Sequence, residues 1–340
     1  MRTWAVVALA CAAGAAWPAG GSSVAAAADV HRGDVAPDFP PGAFADGGRY
    51  RLADFKDKVV VLFFYEKECP TCRGSIPARN QVVDQFKGRP VKFIAVAPGD
   101  TLSDVNQYAR STRLKMTGFS DLFGVMQTRY GFQISLHNIY QFRIVGPDGK
   151  VTTAGIDLKP ADIEAALATA KWRYKDGGYH ASLATVIDQL EWHQYEPALR
   201  VLRPSTKAGS KAVMESAAKL LDAVRAEAKE WVAEAATAAA ADPVRAYDLY
   251  ARVAACFPGE DLGTKADAAA MALVKAKPVA DELAARKLYD GVYATATKAQ
   301  LAQKAAFGTQ IAAVAKKYPE TPTGKSAAAF ADELGRASAE

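Results

Sequence analysis

Cysteine pairs separated by two residues can close a small disulfide ring and reopen it, and this chain carries one such pair, Cys69-Pro70-Thr71-Cys72. The pair follows the apolar run 59–64 and precedes a segment with the pattern of a helix. A helix N-terminus carries partial positive charge, which favours the thiolate of Cys69. The position therefore suits thiol-disulfide exchange, although the same spacing can also supply half of a zinc site.

A structural zinc site normally takes four protein ligands, and two cysteines supply half of them. The histidines His31, His180 and His193 show no ligand spacing that would complete the set. We therefore favour redox chemistry for the pair and predict neither a metal nor a cofactor.

The elements that must position the cysteines are predicted from apolar runs that alternate with helical patterns. Gly146-Pro147-Asp148-Gly149 is a turn sequence and predicts an antiparallel hairpin between the segments on either side of it. This alternation predicts an α/β layer with a mixed central sheet. The predicted strands are 59–64, 91–96, 140–145 and 150–154, and the predicted helices are 76–86, 102–111 and 160–171.

Residues 1–28 have the features of a secretory signal peptide. Arg2 precedes the apolar stretch 4–17, and small residues end at Ala26-Ala27-Ala28. Cleavage before Asp29 would remove Cys11 and place the protein in the periplasm or another extracytoplasmic space. A retained anchor and a lipidated Cys11 are the alternatives, but the apolar stretch is short for a bilayer span, which takes about 20 residues. No later segment predicts a membrane span.

The exported chain would keep three cysteines, and Cys256, near the end of a predicted helix, is interpreted as a small buried hydrophobe. The formal net charge of +5 is small and the charges are well mixed. Basic residues do not cluster with aromatic ones, so we predict no nucleic-acid partner.

After residue 175 alanine dominates and apolar residues recur at helical spacing. Two segments resemble each other: 253–258 is followed by Gly263, and 314–319 is followed by Gly324. Each predicts a helix, an aromatic-proline break and a second helix. The repetition predicts stacked helical hairpins that resemble tetratricopeptide-like arrays, with a non-repetitive bundle as the alternative.

Several motifs before residue 171 occur in a characteristic order: Ala36-Pro37-Asp38-Phe39, the segment 47–55, the run 58–64 into the cysteines, Pro77, Tyr130-Gly131-Phe132 and the segment 146–151. With them, residues 35–171 resemble the exported TlpA-like and redoxin branch of the thioredoxin superfamily. Together with the patterns on either side, it predicts a signal peptide at 1–28, a thioredoxin-like α/β domain at 29–174 and an all-α domain at 175–340.

The resemblance also implies roles for the two cysteines. Cys69, at the exposed end of the junction, would be the nucleophile, and Cys72 would be the more buried resolving cysteine. The partner would be a thiol or disulfide of another extracytoplasmic protein, recruited through the helical domain. Among the neighbouring charges we expect two to favour the Cys69 thiolate, Lys67 and Arg73, and two to oppose it, Glu66 and Glu68.

The chain departs from the family pattern around the pair. Glu68 stands where Trp is common, Phe63 where thioredoxins bury an acid, and Ser75 where a Glu is often present. The cis-proline expected opposite the cysteines is missing. Two ways of counting its position along the chain give Leu136 and Tyr140, and neither is a proline.

His137 lies in this altered loop. It is a candidate proton acceptor facing Cys69, or a third ligand beside the two thiolates, with an ordinary polar loop residue as the alternative.

Three functions follow from these features. We favour an atypical thiol-disulfide oxidoreductase. The second is a non-enzymatic interaction protein whose cysteines form a static disulfide, and burial of the Cys69 sulfur would favour it. The third is a peroxiredoxin-like peroxidase, which is less favoured because such enzymes place Pro and Thr before the reactive cysteine, whereas Phe-Tyr-Glu-Lys-Glu occupies 64–68.

Overall fold

The computed structural model describes residues 30–40, 42–48, 50–135, 138–296 and 304–337. The predicted signal peptide, Cys11, Leu136 and His137 lie outside the described residues. No helix in the described part of the chain is both long and apolar enough to cross a membrane.

A six-stranded mixed sheet forms the N-terminal part, in the order β1-β4-β3-β2-β5-β6. Strands β2, β3 and β4 run parallel, while β1, β5 and β6 are antiparallel to their neighbours. All seven residues of β2 are buried, because the strand lies between two layers of side chains. The strands are β1 Ala43–Phe44, β2 Val59–Tyr65, β3 Val91–Pro98, β4 Thr117–Asp121, β5 Tyr140–Val145 and β6 Val151–Gly155.

Four helices accompany this sheet: α1 Pro70–Gln85, α2 Leu102–Thr112, α3 Val125–Arg129 and α4 Pro160–Leu167. The predicted α/β class and mixed sheet are confirmed, and this part has a thioredoxin-like fold. The sequence analysis missed β1, β4 and α3. Strand β4 contains Gly118 and polar residues and so lacks an apolar run. The prediction of a helix to residue 171 was too long, since α4 ends at Leu167.

The C-terminal part consists of helices, as predicted. They are α5 Ala184–Glu191, α6 Tyr195–Ser205, α7 Lys211–Ala238, α8 Pro243–Cys256, α9 Asp261–Val274, α10 Lys277–Ala296, α11 Lys304–Lys317 and α12 Pro322–Ala337. Asp242 caps α8 by accepting the Arg245 N–H at 3.0 Å, and Pro243 is the first helical residue. Cys256 ends α8 and is 3% exposed.

The two similar sequence segments form two helical hairpins, α8–α9 and α11–α12. A Cβ atom on Gly263 would collide with the carbonyl oxygen of Phe257, and one on Gly324 with the carbonyl oxygen of Tyr318. Both segments therefore have a glycine at this position for the same reason, because the backbone approaches it closely after the aromatic-proline break. A tetratricopeptide-like stacking of the hairpins stays a prediction.

The helical region is attached to the sheet domain at its beginning. The Lys58 Nζ atom lies 3.1 Å from a carboxylate oxygen of Glu191, with side-chain exposures of 5% and 0%. The same carboxylate accepts three backbone N–H groups, those of Arg173, Tyr174 and Lys175. The Lys58 ammonium also lies over the rings of Trp172 and Trp192.

A second attachment lies at the C-terminal end. Leu122, Phe123 and Val125 share a buried cluster with residues of α10, α11 and α12. The Phe123 and Phe330 rings meet edge to face, with centroids 5.3 Å apart. Arg129 donates to the Glu333 carboxylate through Nε and Nη2, at 3.0 Å each. The helical region therefore begins and ends against the sheet domain.

Replacing Glu191 tests the first attachment. Glu191→Ala would leave the buried Lys58 ammonium and three backbone N–H groups without their acceptor, so we expect a loss of about 3–5 kcal/mol in the free energy of unfolding. Glu164→Ala is the control. It breaks an ion pair with Arg89 in which both side chains are about half exposed, so it should cost under about 1 kcal/mol. Urea titration followed by tryptophan fluorescence measures both, and equal small losses would contradict the assignment.

Candidate functional site

Cys69 caps the N-terminus of α1. Its backbone is extended, at φ −75° and ψ 117°, and its Sγ atom accepts the N–H of Cys72 at 3.5 Å. Pro70 supplies the first helical residue, where its missing N–H costs no hydrogen bond. The Cys69 N–H donates to the carbonyl oxygen of Glu66 at 3.3 Å, which turns the chain from β2 into the helix.

Cys72 lies one turn along α1 and is completely buried. Its thiol donates to the carbonyl oxygen of Ile139 at 2.9 Å, just before β5. Both cysteines are free thiols. The Cys69 residue is 8% exposed and Cys72 is 0% exposed, so Cys72 is the more buried of the two.

The two thiols have opposite pKa shifts. Burial raises the pKa of Cys69, but hydrogen bonds from Cys72 and Thr71 outweigh it, and the net pKa lies below that of an ordinary cysteine. Burial, the largest cause, and the neighbouring Cys69 together raise the pKa of Cys72 to about 11, against a backbone hydrogen bond from Glu66 that lowers it. Cys69 is therefore the thiol suited to attack, and Cys72 the one that stays protonated.

The cations expected to favour the thiolate are engaged elsewhere. Lys67 Nζ lies 2.9 Å from Asp100 and 3.2 Å from Asp104, in the loop and first turn that follow β3. The Arg73 guanidinium lies over the Tyr108 ring and donates to Ser111 Oγ at 3.3 Å. The lowered pKa of Cys69 comes instead from hydrogen bonds with Cys72 and Thr71 at the helix start, which agrees with the effect expected of a helix N-terminus.

The surroundings of the buried thiol are apolar. Phe63 is fully buried and stacks on Phe142, with ring centroids 4.9 Å apart, and on Tyr65, at 5.6 Å. An aromatic ring thus occupies the place that the sequence analysis compared with a buried acid.

The loop before β5 is the segment in which the sequence analysis looked for a cis-proline and placed His137. Ser135 and Asn138 form an isolated antiparallel bridge around the two undescribed positions, so the prediction for His137 stays a prediction. The described residues contain no cis peptide bond. Tyr140, one of the two positions counted for the cis-proline, starts β5 and lies under the Arg79 guanidinium. No group of three or more His, Cys, Asp or Glu side chains is placed to hold a metal within the described ranges.

The sequence analysis missed the tyrosines beside the pair. Tyr65 ends β2 and Tyr108 lies on α2, and their rings stack with centroids 4.5 Å apart. Both belong to the buried cluster of the cysteines. The apolar run before the cysteines gave a signal for Tyr65, but nothing in the local pattern of α2 singles out Tyr108.

Alkylation should distinguish the two thiols. At neutral pH we expect iodoacetamide to label Cys69 first, with an apparent pKa below that of an ordinary cysteine, because backbone N–H groups stabilise its thiolate. Cys72 and Cys256, each with a pKa raised to about 11 by burial, should stay unlabelled in the folded protein. Peptide mass spectrometry across a pH series measures this. Equal labelling of Cys69 and Cys72 would contradict the geometry.

Comparison with known proteins shows which family and which relatives the sheet domain resembles. Residues 32–154 match the AhpC/TSA family. The thiol-disulfide oxidoreductase ResA of Bacillus thuringiensis subsp. konkukian (strain 97-27) is 29% identical over 106 residues, which are 31% of this chain and 59% of that protein. The chloroplastic peroxiredoxin Q of Gentiana triflora is 29% identical over 120 residues, 35% of this chain and 54% of that protein.

A thiol:disulfide interchange protein of the thioredoxin family from Chlorobium tepidum TLS is similar in structure. Its TM-score is 0.33 at 23% identity, and the match covers 42% of this chain and 99% of that one. The chain spans a little over half the length of the curated relatives it matches. The segment that matches the AhpC/TSA family includes both cysteines and strands β1 to β5. The N-terminal part of this protein therefore has a thioredoxin-like fold and is similar to the AhpC/TSA family over residues 32–154.

Proposed function

We propose that Cys69 and Cys72 exchange disulfides with the cysteines of another extracytoplasmic protein. The proposal rests on one observation. Cys69 caps α1 and is the less buried of the two cysteines, whereas Cys72 lies one turn away and is fully buried. A thiol-disulfide oxidoreductase is also among the relatives of the domain.

The exchange proceeds in two substitutions. The Cys69 thiolate attacks one sulfur of a partner disulfide, a mixed disulfide forms, and the second partner sulfur leaves as a thiolate. Cys72 then attacks the Cys69 sulfur, the mixed disulfide breaks, and the remaining partner sulfur leaves with the electron pair. Two electrons pass to the partner, and Cys69 and Cys72 end as a disulfide. The reverse sequence oxidises a partner dithiol.

The shifted pKa values support this order of events. Before the first step, contact with Cys69 is one cause that raises the pKa of Cys72. Formation of the mixed disulfide removes the charge of Cys69 and with it that contribution, so Cys72 becomes easier to deprotonate when it is needed. Burial, the largest cause, persists, which keeps Cys72 protonated in the resting protein.

The helical region is positioned to influence partner choice. Parallel strands β2, β3 and β4 end at one edge of the sheet, where β2 leads to Cys69 and β4 leads to Phe123. Adjacent strands are separated by about 4.8 Å, so the end of β4 lies roughly 10 Å from that of β2. Since Phe123 packs against α12, a partner that reaches Cys69 would approach beside these helices. We propose that they select the partner.

Two other functions are each favoured by a specific observation. The low exposure of Cys69 favours a static disulfide in a non-enzymatic interaction protein. The AhpC/TSA match and the relationship to peroxiredoxin Q favour peroxide reduction. We also propose from residues 1–28 that the protein is exported. In an extracytoplasmic space a disulfide between the cysteines can persist, whichever of the three functions the protein has.

Insulin reduction tests the proposal. With dithiothreitol as the electron source, the mature protein should accelerate insulin precipitation, and Cys69→Ser should reduce the rate to background because the attacking sulfur is gone. Cys72→Ser should accumulate a mixed disulfide at Cys69, which non-reducing mass spectrometry detects. Cys256→Ala is the matched control and should keep the wild-type rate.

The other outcomes separate the alternatives. A wild-type rate in Cys69→Ser would contradict the proposal. A Cys69–Cys72 disulfide without any turnover would favour the static role. Consumption of hydrogen peroxide that depends on Cys69, without insulin reduction, would favour the peroxidase.

A further inference from the structure

Arg79, on α1, is a charged residue that the exchange chemistry does not use. Its guanidinium lies over the rings of Tyr140 and Phe142, with the Cζ atom 5.2 Å and 4.7 Å from the two ring centroids. The Nε atom is buried and has no hydrogen-bond partner among the described residues, and none of their carboxylates forms an ion pair with Arg79. The residue as a whole is only partly buried, so a partner can reach it from solvent.

Packing alone does not explain an arginine at this position. Two aromatic rings offer an apolar surface on which a Met or Leu side chain would pack without removing a charge from water. Arg73 on the same helix differs, because its guanidinium lies over the Tyr108 ring and also donates to Ser111. Arg79 has the ring contacts without an acceptor in the described part of the chain. An unpaired buried polar group of this kind calls for an explanation, and a ligand supplies one.

Arg79 lies on the flank of α1 that faces β5. It follows Cys72 by about two helical turns and so shares its face of the helix. Helical side chains lean toward the N-terminus, which in α1 is the end that carries the cysteines. One ring beneath the guanidinium belongs to Tyr140, which directly follows Ile139, and the carbonyl oxygen of Ile139 lies 2.9 Å from the Cys72 sulfur. The guanidinium therefore borders the cysteine pair on the β5 side.

The other side of the cysteine pair carries the opposite charge. The sheet order places β3 and β5 on either side of β2, the strand that leads to the cysteines. On the β3 side, Asp100 and Asp104 share the ammonium of Lys67, at 2.9 Å and 3.2 Å. On the β5 side, Arg79 is a cation with no acid beside it among the described residues. A partner segment that crosses the site therefore meets acids on one side and a cation on the other.

We infer that Arg79 binds a carboxylate of the partner protein, carried by a Glu or Asp close in sequence to the cysteine that Cys69 attacks. The inference rests on the proposed function and names a chemical feature of its substrate. A guanidinium matches a carboxylate in geometry, and the two rings hold this one in place before the partner arrives. Arg79 thereby selects the partner and keeps its segment on the β5 side, while all changes of covalent bonds stay with the sulfur atoms.

Two peptide disulfides that differ only in charge test the inference. Each is a symmetric dimer joined through one cysteine, and the residues two before and two after this cysteine are glutamate in one peptide and glutamine in the other. In an extended peptide these positions lie about 7 Å from the cysteine, within reach of a long side chain. The reduced protein is mixed with an equal amount of dimer, and chromatography counts the peptide thiols released with time.

We expect the wild-type protein to release the first thiol about fivefold faster from the glutamate peptide, the effect of one ion pair near the protein surface. Each rate is divided by the rate of dithiothreitol with the same peptide, which removes the effect of the charges on the disulfide itself. Arg79→Met keeps a long apolar side chain on the rings and should lower the preference below twofold. Its rate with the glutamine peptide should change less than twofold. Arg79→Lys keeps the charge and should retain a preference above twofold.

Arg73→Met is the matched control, since it removes the same charge from α1 at a position closer to Cys69 but on the side of Tyr108. It should keep the wild-type preference. If Arg79→Met does not fold, Arg79→Gln takes its place. A wild-type preference below twofold would overturn the inference. A preference that survives the loss of the Arg79 charge would overturn it too, as would one that Arg73→Met abolishes equally.

Failure of the proposed function gives a different result. In that case no second peptide thiol is released, because Cys72 does not resolve the mixed disulfide at Cys69. The preference in the first release is read independently of this step. A protein that releases both thiols at equal rates from the two peptides would retain the exchange reaction and lose the inference.

Discussion

The hydrogen bond from the Cys72 N–H to the Cys69 sulfur is the interaction on which the site depends. It forms because the buried strand β2 ends just before α1 begins, so that Cys69 becomes the residue that caps the helix. The cap lowers the pKa of Cys69 against the effect of burial and aligns Cys72 one turn away. No cation is needed for this, since Lys67 is paired with Asp100 and Asp104.

The helical region is joined to the sheet domain at two places that differ in chemistry. The first is a buried ion pair of Lys58 and Glu191, which must be kept intact because either partner alone would be an uncompensated charge. The second is an apolar cluster around Phe123 and Phe330, supported by Arg129 and Glu333. The sheet domain therefore contacts both the first and the last part of the helical region.

Sequence alone predicts the features that depend on local pattern. The apolar run of β2, the turn between β5 and β6 and the two helix-break-helix segments that precede Gly263 and Gly324 are of this kind. Strand β4 was missed because Gly118 and polar residues interrupt its pattern. The pairing of Lys67 with Asp100 and the position of Arg79 over the rings of Tyr140 and Phe142 depend on contacts between distant segments, which spacing along the chain does not encode.

A glutathione redox titration of the protein tests most directly whether Cys69 and Cys72 are oxidised reversibly. Thiols are trapped at each ratio of reduced to oxidised glutathione with a mass tag and counted by intact mass spectrometry. We expect one two-electron transition that involves Cys69 and Cys72 and leaves Cys256 unchanged. A Cys69–Cys72 disulfide that persists at every ratio, or a transition that requires Cys256, would contradict the account.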